Sequence, residues 1–218
     1  MNKIEGYIPK AERKKILLLC DDIRLHSGVA TMAREIVSNT AHHYNYFQLG
    51  AALNHPDAGK VFDVSKELNG KLGIDDADVK IMSHNGYGNQ QIVRNLIRRE
   101  KPDGIFIFTD PRYWTWLFEM EREVRATMPI LYLNIWDDLP LPLYNKDYYN
   151  SVDLLMGISK QTKFINEQVL GDDAKNKIIK YVPHGIDHKM FFPIEGHHEE
   201  FEKFKKETYK GKDINFSN

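Results

Sequence analysis

Gly104-Ile105-Phe106-Ile107-Phe108 is apolar on both of its alternating faces, and it is bounded by Pro102 before it and by Thr109-Asp110-Pro111 after it. A strand with no polar face must be buried on both, which is the condition of a parallel sheet flanked by helices. Residues 15–21 (KILLLCD) read the same way. Between these two strands, residues 28–39 place Val29, Met32, Ala33 and Ile36 on one helical stripe, and residues 89–101 carry Ile92, Leu96 and Ile97 at helical spacing before Pro102. Further strands are expected over 44–49, 79–83, 130–135, 153–158 and 178–182, with helices over 113–125, 145–150 and 160–170. Residues 54–78 read as irregular. Turn signals at His55-Pro56-Asp57 and Asn69-Gly70 there surround a brief run, Val61-Phe62-Asp63-Val64. Strand–helix alternation predicts an α/β fold: a doubly wound, mostly parallel Rossmann-like sheet with helices on both faces. The expected organisation is an N-terminal arm over 1–14, the Rossmann-like domain over 15–193, and a linker helix with the start of a further domain over 194–218.

Composition narrows the classes. The 218 residues are 42% hydrophobic and 11% aromatic, enough to cover such a sheet on both faces and unlike a disordered chain. Thirty basic and thirty-one acidic residues give a formal charge of -1, so nucleic-acid binding by phosphate neutralisation is not expected. Arg94, Arg98 and Arg99 read as solvated charge beside Glu100. The one cysteine, Cys20, sits in an apolar run and reads as a buried core thiol; one cysteine and no HExxH pattern predict no metal site. Apolar runs of about five residues are far short of the roughly 20 that span a bilayer, and the first fifteen residues lack an apolar leader core. A cytoplasmic protein without a transmembrane segment is the resulting expectation.

In an open parallel sheet, ligands bind at the carboxyl ends of the strands. The segments following the strands here are Asp21-Asp22 through Ser27-Gly28, His84 to Gln90, Thr109 to Trp114, Trp136-Asp137-Asp138, Ser159-Lys160-Gln161-Thr162 and His184-Gly185-Ile186-Asp187. Arg112, Tyr113, Trp114 and Trp116 are more aromatic and cationic than a connection requires, and aromatic platforms beside carboxylates suit sugar rings or bases. Ser27-Gly28 reads equally as an ordinary helix cap or as a backbone approach for a phosphate. Neither GxGxxG nor GK[ST] is present, which removes the main support for a dinucleotide-binding oxidoreductase or a P-loop enzyme. Ser159 and Thr162 read first as a helix cap, Gly185 as a turn at positive φ, and Asp187 as the cap of the turn carrying Phe191 and Phe192.

Three of these pieces, in order, resemble the N-terminal half of family-4-type glycosyltransferases of the GT-B fold. They are Ser27-Gly28-Val29-Ala30, Ile158-Ser159-Lys160-Gln161-Thr162, and Val182-Pro183-His184-Gly185-Ile186-Asp187 followed by Phe192-Pro193. The last corresponds to the family's P-(N/H)-G-(V/I)-D … F-x-P, and the resemblance spans about residues 14–193. It implies transfer of a sugar from a nucleotide-sugar to an acceptor, with retention and without a metal or other cofactor. It also implies donor-phosphate contact at Ser27 and Gly28. Arg112, Tyr113, Trp114, Trp136, Asp137, Asp138, Ser159, Thr162, His184 and Gly185 would then lie on the acceptor or sugar side. Asp137 and Asp138 are the candidate catalytic residues. Two departures accompany it. The strand running into the acceptor loop ends Asn134-Ile135-Trp136-Asp137-Asp138, without the histidine common in the family, so no catalytic histidine is carried over. The family's cationic donor-phosphate pair and E-x7-E region belong to a C-terminal domain of which residues 213–216 would be the first strand. The expectation is a truncated or split enzyme that needs a separate donor-binding half. Two rivals remain: a non-catalytic carbohydrate- or partner-binding remnant, and a phosphoacceptor receiver built on Asp21-Asp22 with Asp63.

Overall fold

The computed structural model describes residues 4–51, 54, 57–188, 191–192 and 198–209. They divide into two compact units, Met1–Pro183 and His184–Asn218. The first holds an eight-stranded sheet in the order β3-β4-β2-β1-β5-β6-β7-β8. Its strands are β1 Lys14–Asp21, β2 Tyr44–Ala51, β3 Val61–Asp63, β4 Val79–Ser83, β5 Gly104–Phe108, β6 Ile130–Asn134, β7 Leu154–Gly157 and β8 Ile178–Tyr181. Every pairing is parallel except β3 with β4. The chain winds from β1 through β2 to β4, then crosses back to lay β5 against the free side of β1. The reversal of strand order falls between β1 and β5, so all seven parallel strands point their carboxyl ends at one edge and the switch point lies at its middle.

The apolar alternation of β1 builds both layers. Leu17 and Leu19 face a core shared with Phe47, Ile105 and Ile107, while Leu18 and Cys20 face the other with Ile81 and Leu133. The first core is covered by α3 (Gln90–Glu100), α4 (Thr115–Glu119), α5 (Glu121–Arg125), α6 (Lys146–Asn150) and α7 (Lys160–Leu170). Val93, Leu96, Leu117, Val124, Tyr149 and Ile165 are their buried anchors. The second is covered by α1 (Gly28–Thr40) and α2 (Ser65–Leu72), through Ala33, Val37 and Leu68. Cys20 is fully buried, and burial pushes its thiol pKa up, as for a core side chain.

Two stretches differ from the expectation drawn from sequence. Residues 54–78 contain the antiparallel edge strand β3 and the helix α2. Asn69-Gly70, read as a turn, lies inside that helix, where the Asn69 side chain accepts the Ala77 N–H at 2.8 Å. The helix stops three residues later at Gly73, whose φ of 67° is the left-handed C-cap. The helix expected over 113–125 is broken: a 3-10 turn at Pro111–Trp114, then α4, then α5, parted at Met120 with φ -103° and ψ 16°. Met120 is itself buried, so the break turns an apolar side chain into the core. In the second unit, α8 (His198–Tyr209) is the charged helix, with Lys205 over the Phe201 ring and ion-paired to Glu202. The strand expected over 213–216 lies outside the described residues.

Close approach of α7 to β7 depends on Gly157. A Cβ there would stand 2.7 Å from the Lys163 backbone nitrogen and 3.1 Å from its Cα. Gly157→Ala is therefore expected to destabilise the protein by about 2–3 kcal/mol in urea unfolding. Gly70→Ala, which meets nothing within 4 Å inside α2, is expected to stabilise it by about 0.5–1 kcal/mol.

Candidate functional site

At the switch point the carboxyl end of β1 presents two buried carboxylates with different partners. Asp22 is held by Arg24, through Nε to Oδ1 at 2.9 Å and Nη2 to Oδ2 at 2.6 Å, and by the Ser83 hydroxyl at the end of β4. Burial raises its carboxyl pKa, but the Arg24 hydrogen bonds outweigh that and hold it below the ordinary value. Gly50 makes room for this group, since a Cβ there would stand 2.8 Å from Asp22 Oδ2. Arg24 also lies over the Phe62 ring at 4.0 Å. Asp22 is thus a structural tie between β1 and β4. Asp21 instead accepts from the Ser27 hydroxyl at 2.9 Å and from the Tyr87 hydroxyl at 3.2 Å. Burial, then the charge of Asp21, pushes the Tyr87 pKa up and keeps the phenol protonated as a donor.

Ser27 caps α1 by accepting the Ala30 N–H at 3.0 Å, and the space a Gly28 Cβ would enter is empty within 4 Å. The first turn is open for an approaching group, as a backbone phosphate contact requires. The carboxylate of Asp21, one hydrogen bond from Ser27, already lies at this helix end and opposes a second anion.

The loop after β5 carries the aromatic part. Thr109 has φ 155°, outside the usual range for a β-branched residue, and its carbonyl accepts the buried Tyr132 hydroxyl at 2.8 Å. Asp110 caps the 3-10 turn through the Arg112 N–H and grips the Arg112 guanidinium with both oxygens, Nε to Oδ1 at 2.9 Å and Nη2 to Oδ2 at 2.5 Å. Tyr113 is 48% exposed and stacks on Tyr87 with centroids 4.1 Å apart and planes 5° apart. Trp114, expected on the acceptor side, is instead fully buried, edge-on to Tyr87 and packed against Trp116. Its apolar area goes to the core beneath the platform rather than to a ligand.

The loop after β6 faces this one. Asn134, fully buried, accepts the Trp136 N–H at 3.1 Å and donates to Tyr149 at 2.9 Å and Asn166 at 2.6 Å, which fixes where the loop departs. Arg112 lies over the Trp136 ring at 5.4 Å, Tyr144 meets it edge-on at 5.8 Å, and its Nε1 donates to the Asp138 carbonyl at 3.1 Å. Asp137 and Asp138 are exposed. Gln161, in the first turn of α7, donates to the Asp137 carbonyl at 2.8 Å and so ties the loop after β6 to the loop after β7. Ser159 caps α7 at the Thr162 N–H, and the two hydroxyls bond each other at 2.9 Å. Thr162 is fully buried.

The structure therefore brings together Ser27 and Gly28 at the switch point, and Arg112, Tyr113, Trp136, Asp137 and Asp138 on the loops after β5 and β6. His184 and Gly185 belong to the second unit. Gly185 is not among the positive-φ glycines, so the expected turn at positive φ is not formed; the Phe191 N–H closes the following turn on the Asp187 carbonyl at 2.8 Å. Asp21, Tyr87 and Tyr144 are additions to the expected set. For Tyr87 the available signal was its place between Gly86 and Gly88, both at positive φ, which let the loop after β4 fold back over β1. The receiver reading fails on topology. Because β3 runs antiparallel to β4, with Asp63 opposite Lys80 near the start of β4, Asp63 lies toward the other edge of the sheet from Asp21 and Asp22.

A cavity of about 470 Å³ opens away from the rim, near the amino ends of β1, β2, β5 and β6, between Ile36 of α1 and Phe106 and Leu131 of the sheet. Among the described residues no helix is long and apolar enough to cross a membrane. No protein-family model and no curated protein matches the sequence, so the geometry of the rim and the motifs themselves carry the functional argument.

Asp22→Asn is expected to cost about 2 kcal/mol near pH 7, since it leaves the Arg24 charge partly buried without its partner. The carboxylate's contribution is present above its unfolded pKa near about 4 and is lost as pH falls through the lower native value, so the variant's stability should fall less steeply on the acid side. Urea unfolding at pH 3 to 7 measures both.

Proposed function

We propose that residues 14–193 form the acceptor-side half of a nucleotide-sugar-dependent glycosyltransferase of the GT-B type. The observation that carries this is the pairing, on adjacent strand ends, of a rigid aromatic platform with exposed carboxylates: Tyr113 on Tyr87, Trp136 against Tyr144, and Asp137 and Asp138 exposed on the same loop as Trp136. Aromatic faces hold the apolar side of a sugar ring, and carboxylates accept its hydroxyl protons. The order of the three sequence motifs supports the same reading.

In this reading an acceptor sits on the rim of β5 and β6. A donor-binding unit outside these 218 residues, on the same or another polypeptide, brings the nucleotide-sugar to the opposite wall. The bond between the anomeric carbon and the diphosphate breaks, the acceptor oxygen takes the anomeric carbon, and the acceptor hydroxyl proton passes to the departing diphosphate oxygen. The Asp137 carboxylate, without a side-chain partner among the described residues, is the rim group suited to orient that hydroxyl. The cations that stabilise the departing diphosphate come from the donor unit; the first turn of α1 can add backbone N–H groups at Gly28. The stereochemical outcome follows the family resemblance.

A second reading, a carbohydrate-binding protein without transferase activity, is favoured by one feature. The Asp21 carboxylate, 2.9 Å from the Ser27 hydroxyl, makes the α1 terminus a poor place for a phosphate.

Co-expression with candidate donor-binding units, followed by a nucleotide-release assay, separates the two. The transferase reading expects release that depends on both an acceptor and the second unit and falls at least about tenfold in Asp137→Ala. Multiple turnover by the chain alone would contradict the half-enzyme proposal. Sugar binding without turnover in any combination leaves the binding-protein reading standing.

A further inference from the structure

We propose, on the acceptor-side reading above, that the rim between β5 and β6 takes a neutral or cationic sugar ring on the outer face of Tyr113 and discriminates against acidic sugars. Two features of the site carry this, one of shape and one of charge.

Tyr113 is a fixed platform. One face lies on Tyr87 at 4.1 Å and 5°, and 48% of the residue remains exposed. Tyr87 in turn is held by its hydroxyl on Asp21 at 3.2 Å and by the edge of the fully buried Trp114 at 5.3 Å. A ring supported in this way has little rotamer freedom left to lose when a ligand settles on it. The face of a tyrosine ring is electron-rich, and it attracts the partly positive C–H bonds of a pyranose or an ammonium group.

Charge then selects among rings. Arg112, the cation beside the platform, has its guanidinium already spent on Asp110, through contacts of 2.9 and 2.5 Å, and lies over Trp136. Asp137 and Asp138 are exposed on the facing loop, and no arginine or lysine pairs with them among the described residues. On the loops after β5 and β6, Asp110, Asp137 and Asp138 stand against Arg112, and Lys160 on the adjoining loop offsets only one of them, so the field at Tyr113 is negative. A uronate, or a nucleotide stacked by its base, brings its own negative charge into that field. A neutral hexose meets hydroxyl acceptors instead.

Ligand-observed NMR titration of the full chain tests this, with methyl α-glycosides of glucose, galactose, mannose and N-acetylglucosamine and with the 6-carboxylate of each hexoside, at pH 7 and low salt. At least one neutral glycoside is expected to bind with saturation transfer from aromatic protons, and its carboxylate about tenfold more weakly, a gap that narrows with added salt. Tyr113→Ala is expected to weaken the neutral glycoside about fivefold while the circular dichroism spectrum stays unchanged and Tm falls by only about 1–5 °C. Asp137→Asn with Asp138→Asn is expected to bring the carboxylate to within about twofold of its neutral parent. Equal or tighter binding of the carboxylate by the parent chain overturns the charge selection and leaves the acceptor-side reading intact. Undiminished binding in Tyr113→Ala overturns the platform. Failure of every neutral and acidic glycoside to bind overturns the acceptor-side reading itself, and the selection with it.

Discussion

The rim depends on β1 pairing in parallel with β2 on one side and with β5 on the other. That double pairing requires a strand apolar on both faces, which Leu17, Leu18, Leu19 and Cys20 supply, and it forces the chain to reverse its winding beside β1. From the reversal follows the common edge: Asp21, Tyr87, Thr109 and Trp136 come from four loops separated by up to 115 residues of chain, yet they stand over neighbouring strand ends. A slip of one residue in β1 would exchange the two cores and turn Asp21 away from Ser27 and Tyr87.

The edge is held rigid from beneath by polar groups as much as by apolar ones. Tyr132, Asn134, Tyr149 and Asn166 form a buried chain of hydrogen bonds whose upper ends are the Thr109 carbonyl and the Trp136 N–H, the departure points of the two loops that face each other. A buried amide is costly unless paired, and Asn134, paired at both its oxygen and its nitrogen, commits the loops to one geometry. Asn134, the last residue of β6, points its carboxamide into the core and so positions the loop that carries Trp136, Asp137 and Asp138.

Most of the architecture was legible in the sequence because parallel strands leave a strong mark. Runs such as Gly104-Ile105-Phe106-Ile107-Phe108 have no polar face, and the Ser27, Asn89 and Ser159 caps mark where α1, α3 and α7 begin. Residues 54–78, where structure and sequence expectation differ, form the edge of the sheet, where burial is thin and propensity speaks louder than packing. There the Asn69-Gly70 pair looked like a turn, whereas a single buried side chain, Leu68, and the cap at Gly73 sufficed to make a helix. The rim was legible as a set of loops but not as a set of side chains. Trp114 and Tyr113 are neighbours with the same composition argument, and only the 3-10 turn set by Asp110 and Pro111 decides that one goes to the core and the other to solvent.

That division also bears on how the site handles charge. The carboxyl edge of a doubly wound sheet is often an anion site, because helix N-termini gather there. In this protein the gathering is offset from within: Asp21 takes the α1 end through Ser27, Asp110 neutralises Arg112, and Asp22 neutralises Arg24. The two arginines of the edge are each matched by a carboxylate of the same loop, while Asp137 and Asp138 have no ion pair among the described residues. A wall whose arginines are satisfied internally and whose carboxylates are in surplus is poorly suited to gripping a diphosphate and well suited to a polyol. On the proposed transferase reading, the charge of a nucleotide-sugar is then met by the donor-binding unit, and this rim contributes the grip on the acceptor.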